Sequence, residues 1–357
     1  MIFVAALVVL ILALGARRRW PWSRRLALLG GLWLAIMAVQ WGLPSGHPLR
    51  QMIGGTPQVW ASLALLGLLG GLYGLLVGRL RNRAKPAAPA PAPAGAFRPA
   101  ELDRYARHIL LREIGGPGQR RLKDARVLVV GAGGLGSPAL FYLAAAGVGT
   151  IGVIDDDTVE GSNLQRQIIH SDDRIGLPKV FSAEIAMKAL NPFITVRPYR
   201  RRLEATIGRE LIADYDLVLD GTDNFDTRYL VNELCVALGK PLISGAITQW
   251  EGQVSLWHPQ AGGPCYACVF PTRPAPGMVP TCAEAGVAAP LPGVIGSIMA
   301  MEAVKHLTGA GAGLMGRLMI HDALYAETRT IAVQRRADCP VCAAASMARQ
   351  GAQPTDP

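Results

Sequence analysis

The chain has 357 residues, half of them apolar, and a formal net charge of +10. That charge would suit nucleic acid, but its position argues otherwise: residues 1–98 hold eleven Arg or Lys and no Asp or Glu, leaving 25 basic and 26 acidic side chains in the remainder. Basic residues flanking apolar segments set membrane orientation more often than they bind nucleic acid, so no nucleic-acid partner is expected.

Three apolar segments come first, over 2–16, 26–43 and 59–80. Arg17, Arg18, Arg19, Arg24 and Arg25 lie between the first two, and Arg79, Arg81, Arg83 and Lys85 follow the third. The loop Pro44–Gln58 carries only Arg50. The positive-inside rule predicts three crossings of the inner membrane, with the N-terminus outside and everything after Leu80 in the cytoplasm. A cleaved signal has its basic region before the apolar core, and here that order is reversed. Residues 85–98 open with KPAAPAPAPAG, an extended proline–alanine tether with nothing to build a core from. The expected domains are thus a membrane region over 1–84, this linker, a catalytic domain over 99–345 and a flexible tail over 346–357.

Pro99–Leu111 reads as a helix carrying Arg104, Tyr105, Arg107 and His108, with the two arginines on a solvated face. Ile114–Gly118 reads as a turn, and Arg120–Ala125 as the lead into a first strand. That strand opens VLVVGAGGLG, residues 127–136. Gly131, Gly133 and Gly136 make the G-x-G-x-x-G spacing ahead of a helix from Ser137 to about Ala146. A glycine turn feeding a helix presents free N–H groups to an anionic ligand. Gly131 would serve the turn, Gly133 the approach of phosphate and Gly136 helix–strand packing. A second apolar run, Ile151–Ile154, ends at Asp155, 24 residues after Gly131, where a ribose-binding carboxylate is expected. The nucleotide is left open at this point.

Asp155, Asp156 and Asp157 could hold Mg²⁺ or form a hydrophilic loop. Asn163, Arg166 and Gln167 follow, then a helix over Gly176–Leu190 whose early Lys179 could meet phosphate. Ile194–Tyr199 and Leu217–Leu219 read as strands, the latter running into Asp220 and the polar Gly221–Asn224. Phe225–Leu238 is a helix burying Cys235. Pro241–Ala246 and Gly252–Trp257 read as strands, the second antiparallel; Ile295–Leu307 is a helix, and Leu318–Leu324 and Thr328–Val333 complete the sheet. Cys265-x-x-Cys268 and Cys339-x-x-Cys342 suit a structural Zn²⁺ site that clips the tail to the core; a redox disulfide or two unrelated pairs are the alternatives. Cys282, after a proline-rich loop, is a candidate nucleophile or an incidental thiol.

In this order the stretches RYARHILL, GAGGLGSPAL, DDDTVEGSNLQRQIIH, GLPKV, LDGTDN, EGQVS, CYACVFP, TCAEAGV and CPVC form a pattern. The segment from about Glu101 to Ala343 resembles the ubiquitin-activating-like adenylyltransferases of the ThiF/MoeB/HesA family. The fold implied is α/β: a Rossmann-like, mostly parallel sheet with an antiparallel extension and a zinc-clipped C-terminal part, here preceded by transmembrane helices. The resemblance implies ATP at Gly131, Gly133, Gly134 and Gly136, with Asp155 on the ribose. It puts Asn163, Arg166, Gln167 and Lys179 on the phosphates, and Asp223 on Mg²⁺ with Asp220 in support. Arg107 falls on an arginine that reaches the partner subunit's ATP, implying a homodimer and replacing the solvated-face reading. Cys265, Cys268, Cys339 and Cys342 fall on the zinc ligands, and Cys282 on a reactive cysteine whose covalent role varies among relatives.

The implied reaction is adenylylation of the C-terminal glycine of a ubiquitin-like sulfur carrier ending in Gly–Gly. It releases pyrophosphate, and a separate sulfur donor acts afterwards. A related enzyme adenylating a tRNA or a peptide carboxylate is the alternative. An NAD-dependent oxidoreductase would leave Arg166, Lys179 and Asp223 unused. The membrane segments depart from the family, whose members are normally soluble.

Overall fold

A computed structural model describes residues 2–18, 20–83, 97–275, 278 and 282–343. Contacts divide the chain near residue 91 into two compact units. Most of the tether and the tail expected over 346–357 lie outside the described residues.

The first unit contains α1 (Ile2–Arg17), α2 (Trp22–Gly42), α3 (Pro48–Ile53) and α4 (Pro57–Arg83). Two helical stretches, Ser23–Gly42 and Pro57–Arg79, are long and apolar enough to cross a membrane. α1 has 16 residues, about 24 Å of helix against a hydrocarbon core of ~30 Å. Of the three expected spans, the first is thus the short one. The short α3 is tied in by polar side chains: Gln40 Nε2 donates to Gly54 O, and Arg50 Nε donates to Gln40 Oε1.

The second unit is a three-layer α/β domain. Its elements are α5 (Pro99–Ile109), α6 (Gly115–Asp124), β1 (Arg126–Val130), α7 (Gly136–Ala146), β2 (Thr150–Ile154), α8 (Lys179–Leu190), β3 (Thr195–Tyr199), α9 (Ala205–Ala213), β4 (Leu217–Asp220) and α10 (Phe225–Leu238). They continue as β5 (Leu242–Ile247), β6 (Glu251–Trp257), α11 (Tyr266–Val269), α12 (Cys282–Ala285), α13 (Pro290–Thr308), β7 (Arg317–Asp322) and β8 (Glu327–Ala332). The strand order is β3-β2-β1-β4-β5-β6-β7-β8. The first five run parallel and β6 to β8 antiparallel, matching the expected parallel sheet with an antiparallel extension.

The interiors of β1, β2 and β4 are runs of buried, mostly apolar residues because both faces of the sheet are covered. Val127 and Val129 pack on one side with Leu140, Leu143, Val180, Ile295 and Met299. Leu128 and Val130 pack on the other with Ile212, Val231 and Leu234. β1 lies between β2 and β4 in the sheet, so the chain turns in opposite directions on leaving neighbouring strands. A crevice opens at such a switch point, outside the carboxyl ends of the strands.

One expectation fails here. Ile114–Gly118 and the following lead-in are not a turn and a linker, because α6 occupies Gly115–Asp124. Its glycines read as a turn, yet a Cβ on Gly118 would lie 2.9 Å from Ile114 Cγ2 and 3.4 Å from Thr308 Cβ. Close packing, rather than chain reversal, explains that glycine.

Candidate active site

β1 ends at Val130, and Gly131, at φ +93°, turns the chain into the loop before α7. A Cβ on Gly136 would sit 2.0 Å from Gly131 O. The third glycine therefore lets the loop close on its own backbone; helix–strand packing is not its main constraint. Gly133 differs: the nearest atom to a Cβ there is Gln167 Nε2 at 3.8 Å. Its missing side chain leaves the cleft open rather than avoiding a neighbour.

The cleft, of about 920 Å³, is lined by Gly131, Gly133, Gly134, Asp155, Arg166, Gln167, Lys179 and Asp223 among others. These come from the ends of β1, β2 and β4 and from the start of α8, so the switch point gathers residues spread over nearly a hundred positions. Asp155 Oδ2 accepts the Ala132 N–H at 2.7 Å, and Oδ1 accepts the Asp157 N–H at 2.9 Å. The carboxylate thus fastens the glycine loop to the end of β2 while facing the cleft. Burial pushes its pKa up, against the pull of those two N–H groups and of Lys179.

Lys179 is the first residue of α8. Its side chain is only 7% exposed, and Nζ lies 2.8 Å from Asp157 Oδ2, whose own side chain is 66% exposed. The ammonium is held at the cleft wall by a partner that water can readily replace. Gln167 is buried, and its Oε1 has no hydrogen-bond partner.

Two residues expected in the site are placed behind it. Asn163 is not among the cleft-lining residues; its carbonyl accepts the Arg166 and Gln167 N–H groups and builds the turn that presents them. Asp220 is fully buried. Its Oδ1 accepts from Thr222 N at 3.0 Å and Thr222 Oγ1 at 2.6 Å, so it shapes the loop that exposes Asp223 instead of facing the nucleotide. Asn224 then caps α10, accepting the Thr227 N–H at 2.8 Å. Arg107 stands on α5 in a different groove, lined by His108, Leu111, Tyr142, Ala145, Met301 and Val304 among others. A single protomer does not bring Arg107 to the cleft. Cys282 opens α12, and its side chain lies outside the described residues.

Cys265, Cys268, Cys339 and Cys342, the two C-x-x-C pairs, come together as a knuckle and are buried. Cys265 Sγ lies 3.8 Å from Cys268 Sγ and 3.6 Å from Cys339 Sγ, and Cys268 Sγ lies 3.4 Å from Cys342 Sγ. All four sulfurs lie within 4.8 Å of one another. A tetrahedron with metal–sulfur bonds of about 2.3 Å has edges of about 3.8 Å, so the donor set fits one metal ion. It joins the chain after β8 to α11. Cys235, by contrast, is a buried thiol inside the α10 face, with its pKa pushed far up by burial.

Residue spacing did not single out His170 or Arg228. His170 lies buried beneath the glycine loop, with Nε2 2.9 Å from Ala132 O and Nδ1 2.9 Å from Ser182 Oγ. A carbonyl only accepts, so Nε2 carries the proton and Nδ1 accepts from the hydroxyl. Burial lowers its pKa to about 4, which keeps the ring neutral. Arg228 lines the inner wall of the cleft. An arginine among buried neighbours in the first turn of α10 was the available signal.

Residues 105–341 match the sequence pattern that defines the ThiF family. The chain belongs to the ThiF family. This ThiF chain is 52% identical over 246 residues to the sulfur carrier protein adenylyltransferase of Thermus thermophilus, an alignment covering 68% of this chain and 91% of that protein. It is 50% identical over 242 residues to the SAMP-activating enzyme E1 of Haloferax volcanii, covering 68% and 89% of the two chains. In fold it is similar to E. coli MccB in a crystal structure with ATP, at a TM-score of 0.59 and 23% identity, covering 67% of this chain and 74% of that one. The matched span coincides with the α/β unit, and the helices before residue 91 lie outside it.

Proposed function

We propose that this ThiF-family enzyme uses ATP to adenylylate the C-terminal glycine of a ubiquitin-like sulfur carrier. The observation that carries the reading is the convergence of the glycine loop, Asp155, Arg166, Lys179 and Asp223 on one cleft, within a 246-residue stretch 52% identical to a sulfur carrier protein adenylyltransferase. The carrier's carboxylate oxygen attacks the α-phosphorus of ATP. The bond to the pyrophosphate oxygen breaks, giving acyl-adenylate and pyrophosphate. The nucleophile is already an anion, so no strong base is needed. The task is to bring anions together and to stabilise charge on the phosphoryl oxygens. Arg166, Lys179 and the N–H groups at the start of α7 supply positive potential, and Asp155 orients the ribose. The exposed Asp223 carboxylate, at the mouth of the same cleft, suits Mg²⁺, which when bound neutralises phosphate charge. The four-thiol cluster suits structural Zn²⁺. Cys282 acts after adenylate formation, when a separate donor supplies sulfur.

We place Arg107 in the partner subunit's site. The groove beside it on α5, α7 and α13 is largely apolar, which supports a homodimer. Mixing Arg107→Ala with Lys179→Met chains should recover activity that neither variant has alone, because one site of each mixed dimer keeps both groups. No recovery in dimers shown to be mixed would refute the sharing of sites.

The first unit anchors the enzyme in the inner membrane. Support comes from α4, whose apolar window is 0% buried, with Leu65, Leu66, Leu68, Leu69, Leu72 and Leu76 all exposed. Such a surface needs lipid or a partner helix. α1 crosses as a short third span, with Arg17 and Arg18 reaching the cytoplasmic headgroups. A reporter fused ahead of Ile2 should score outside; a cytoplasmic score would remove that span. The enzymatic reading itself is tested by mass spectrometry of small Gly–Gly-ended proteins incubated with the enzyme and ATP. An adenylated C-terminus is expected. Modification of a tRNA instead would overturn the carrier reading.

A further inference from the structure

We infer that Arg228 is a positioning residue: it locks the loop that carries Asp223 and couples that loop to the four-thiol knuckle through Tyr266. The inference rests on the adenylylation reading for its consequence, but its geometry stands apart from it. Arg228 sits in the first turn of α10, with its side chain 6% exposed. Its Nε lies 3.4 Å from Asp220 Oδ2, an oxygen that has no other partner. Its Nη2 donates to Thr222 O at 2.6 Å and to Gly245 O at 2.8 Å. One guanidinium therefore joins the end of β4, the loop after it and the neighbouring strand β5. The planar fork makes this possible; an ammonium cannot serve three acceptors in fixed, divergent directions.

The same helix face reaches the knuckle. The Arg228 guanidinium stands 5.9 Å from the centre of the Tyr266 ring, within reach of a cation–π contact. Asn232, one helical turn on, accepts the Tyr266 N–H through Oδ1 at 2.9 Å. Tyr266 follows Cys265 directly, and its ring packs edge-on to Trp257 and Tyr229. Two side chains one turn apart on α10 thus grip the nucleotide loop at one end and the metal knuckle at the other. A buried cation that only neutralised Asp220 would need neither the two carbonyls nor the ring.

The test uses the full chain with Arg228→Lys, Tyr266→Leu and the double variant. Arg228→Lys keeps a counter-ion for Asp220, so the fold is retained, and thermal melting checks this. Amide hydrogen exchange at Thr222, whose N–H is held by Asp220, should quicken by about tenfold or more in either single variant. The Mg²⁺ concentration for half-maximal ATP–pyrophosphate exchange should rise by a similar factor, a readout that a general loss of stability would not move. The double variant should be little worse than Arg228→Lys, because both changes break one chain of contacts. Unchanged Thr222 exchange and Mg²⁺ dependence in Arg228→Lys would overturn the positioning role. Additive effects in the double variant would overturn the coupling. If the parent enzyme shows no carrier-dependent exchange at all, the adenylylation reading fails, and amide exchange still decides the inference. If Arg228→Lys does not fold, Tyr266→Leu decides it: unchanged Thr222 exchange in that variant overturns the coupling.

Discussion

Replacing Lys179 by Met separates catalysis from stability. Among the described residues the ammonium has one ion-pair partner, Asp157, at 2.8 Å, and that carboxylate is 66% exposed. A pair with one member in water is worth about 0–1 kcal/mol, and Met keeps the buried aliphatic stem filled. Asp157 regains water when the pair is lost. A destabilisation of about 1 kcal/mol corresponds to a melting shift of about 2–4 °C for a domain of this size. The catalytic loss is far larger: a preorganised cation aimed at developing phosphoryl charge is worth about 10²–10³ in rate. Carrier-dependent ATP–pyrophosphate exchange should therefore fall by about 10²-fold or more while thermal melting hardly moves. Asp157→Asn should spare exchange, since it frees Lys179 without removing it. Exchange within a few-fold of the parent in Lys179→Met, or a loss of stability well above about 3 kcal/mol, would refute the assignment.

Gly133 and Gly136 should part company. Gly136→Ala puts a methyl 2.0 Å from Gly131 O, so the chain should lose folded yield or several degrees of melting temperature; Gly133→Ala, with no neighbour closer than 3.8 Å, should melt normally and bind ATP weakly by calorimetry. Cys268→Ser should abolish bound zinc by elemental analysis and expose the chain after β8 to protease, because Cys339 and Cys342 lose the site that holds them. Acid should loosen the glycine loop through His170. The folded protein keeps this ring neutral down to about pH 4, whereas the unfolded chain protonates near 6.5. Between those values the unfolded state binds more protons, so this contribution is complete above the upper value and is lost as pH falls toward the lower one. His170→Gln should flatten the denaturation midpoint over that window, and an unchanged slope would remove the residue from the explanation.

The parallel half of the sheet was readable because β1, β2 and β4 are buried on both faces and so appear as short apolar runs ending in Gly or Asp. α10 was readable from Phe225 to Leu238; Asn224 caps it at one end and Gly239, at φ +67°, closes the other. α6 was not, because Gly115, Gly116, Pro117 and Gly118 carry the signature of a turn and only tertiary packing makes them helical. Residue type located the chemistry better than it located orientation. Asp220 at the end of β4 and Asp223 in the loop after it are three positions apart, yet one is buried and the other faces the cleft. Arg228 escaped notice because its acceptors are backbone carbonyls 6 and 17 positions away, which no spacing rule anticipates. Arg107 shows the converse: family resemblance singles it out, while the geometry of one protomer leaves it in another groove.

The decisive measurement is exchange of labelled pyrophosphate into ATP by the purified 357-residue chain with and without a ubiquitin-like carrier from its own cell. Label should enter ATP only when the carrier is present with its terminal Gly–Gly intact, and should stop when the last glycine is removed. Exchange that ignores the carrier, or no exchange with any Gly–Gly-ended protein of that cell, would contradict adenylylation of a sulfur carrier as the reaction of this cleft.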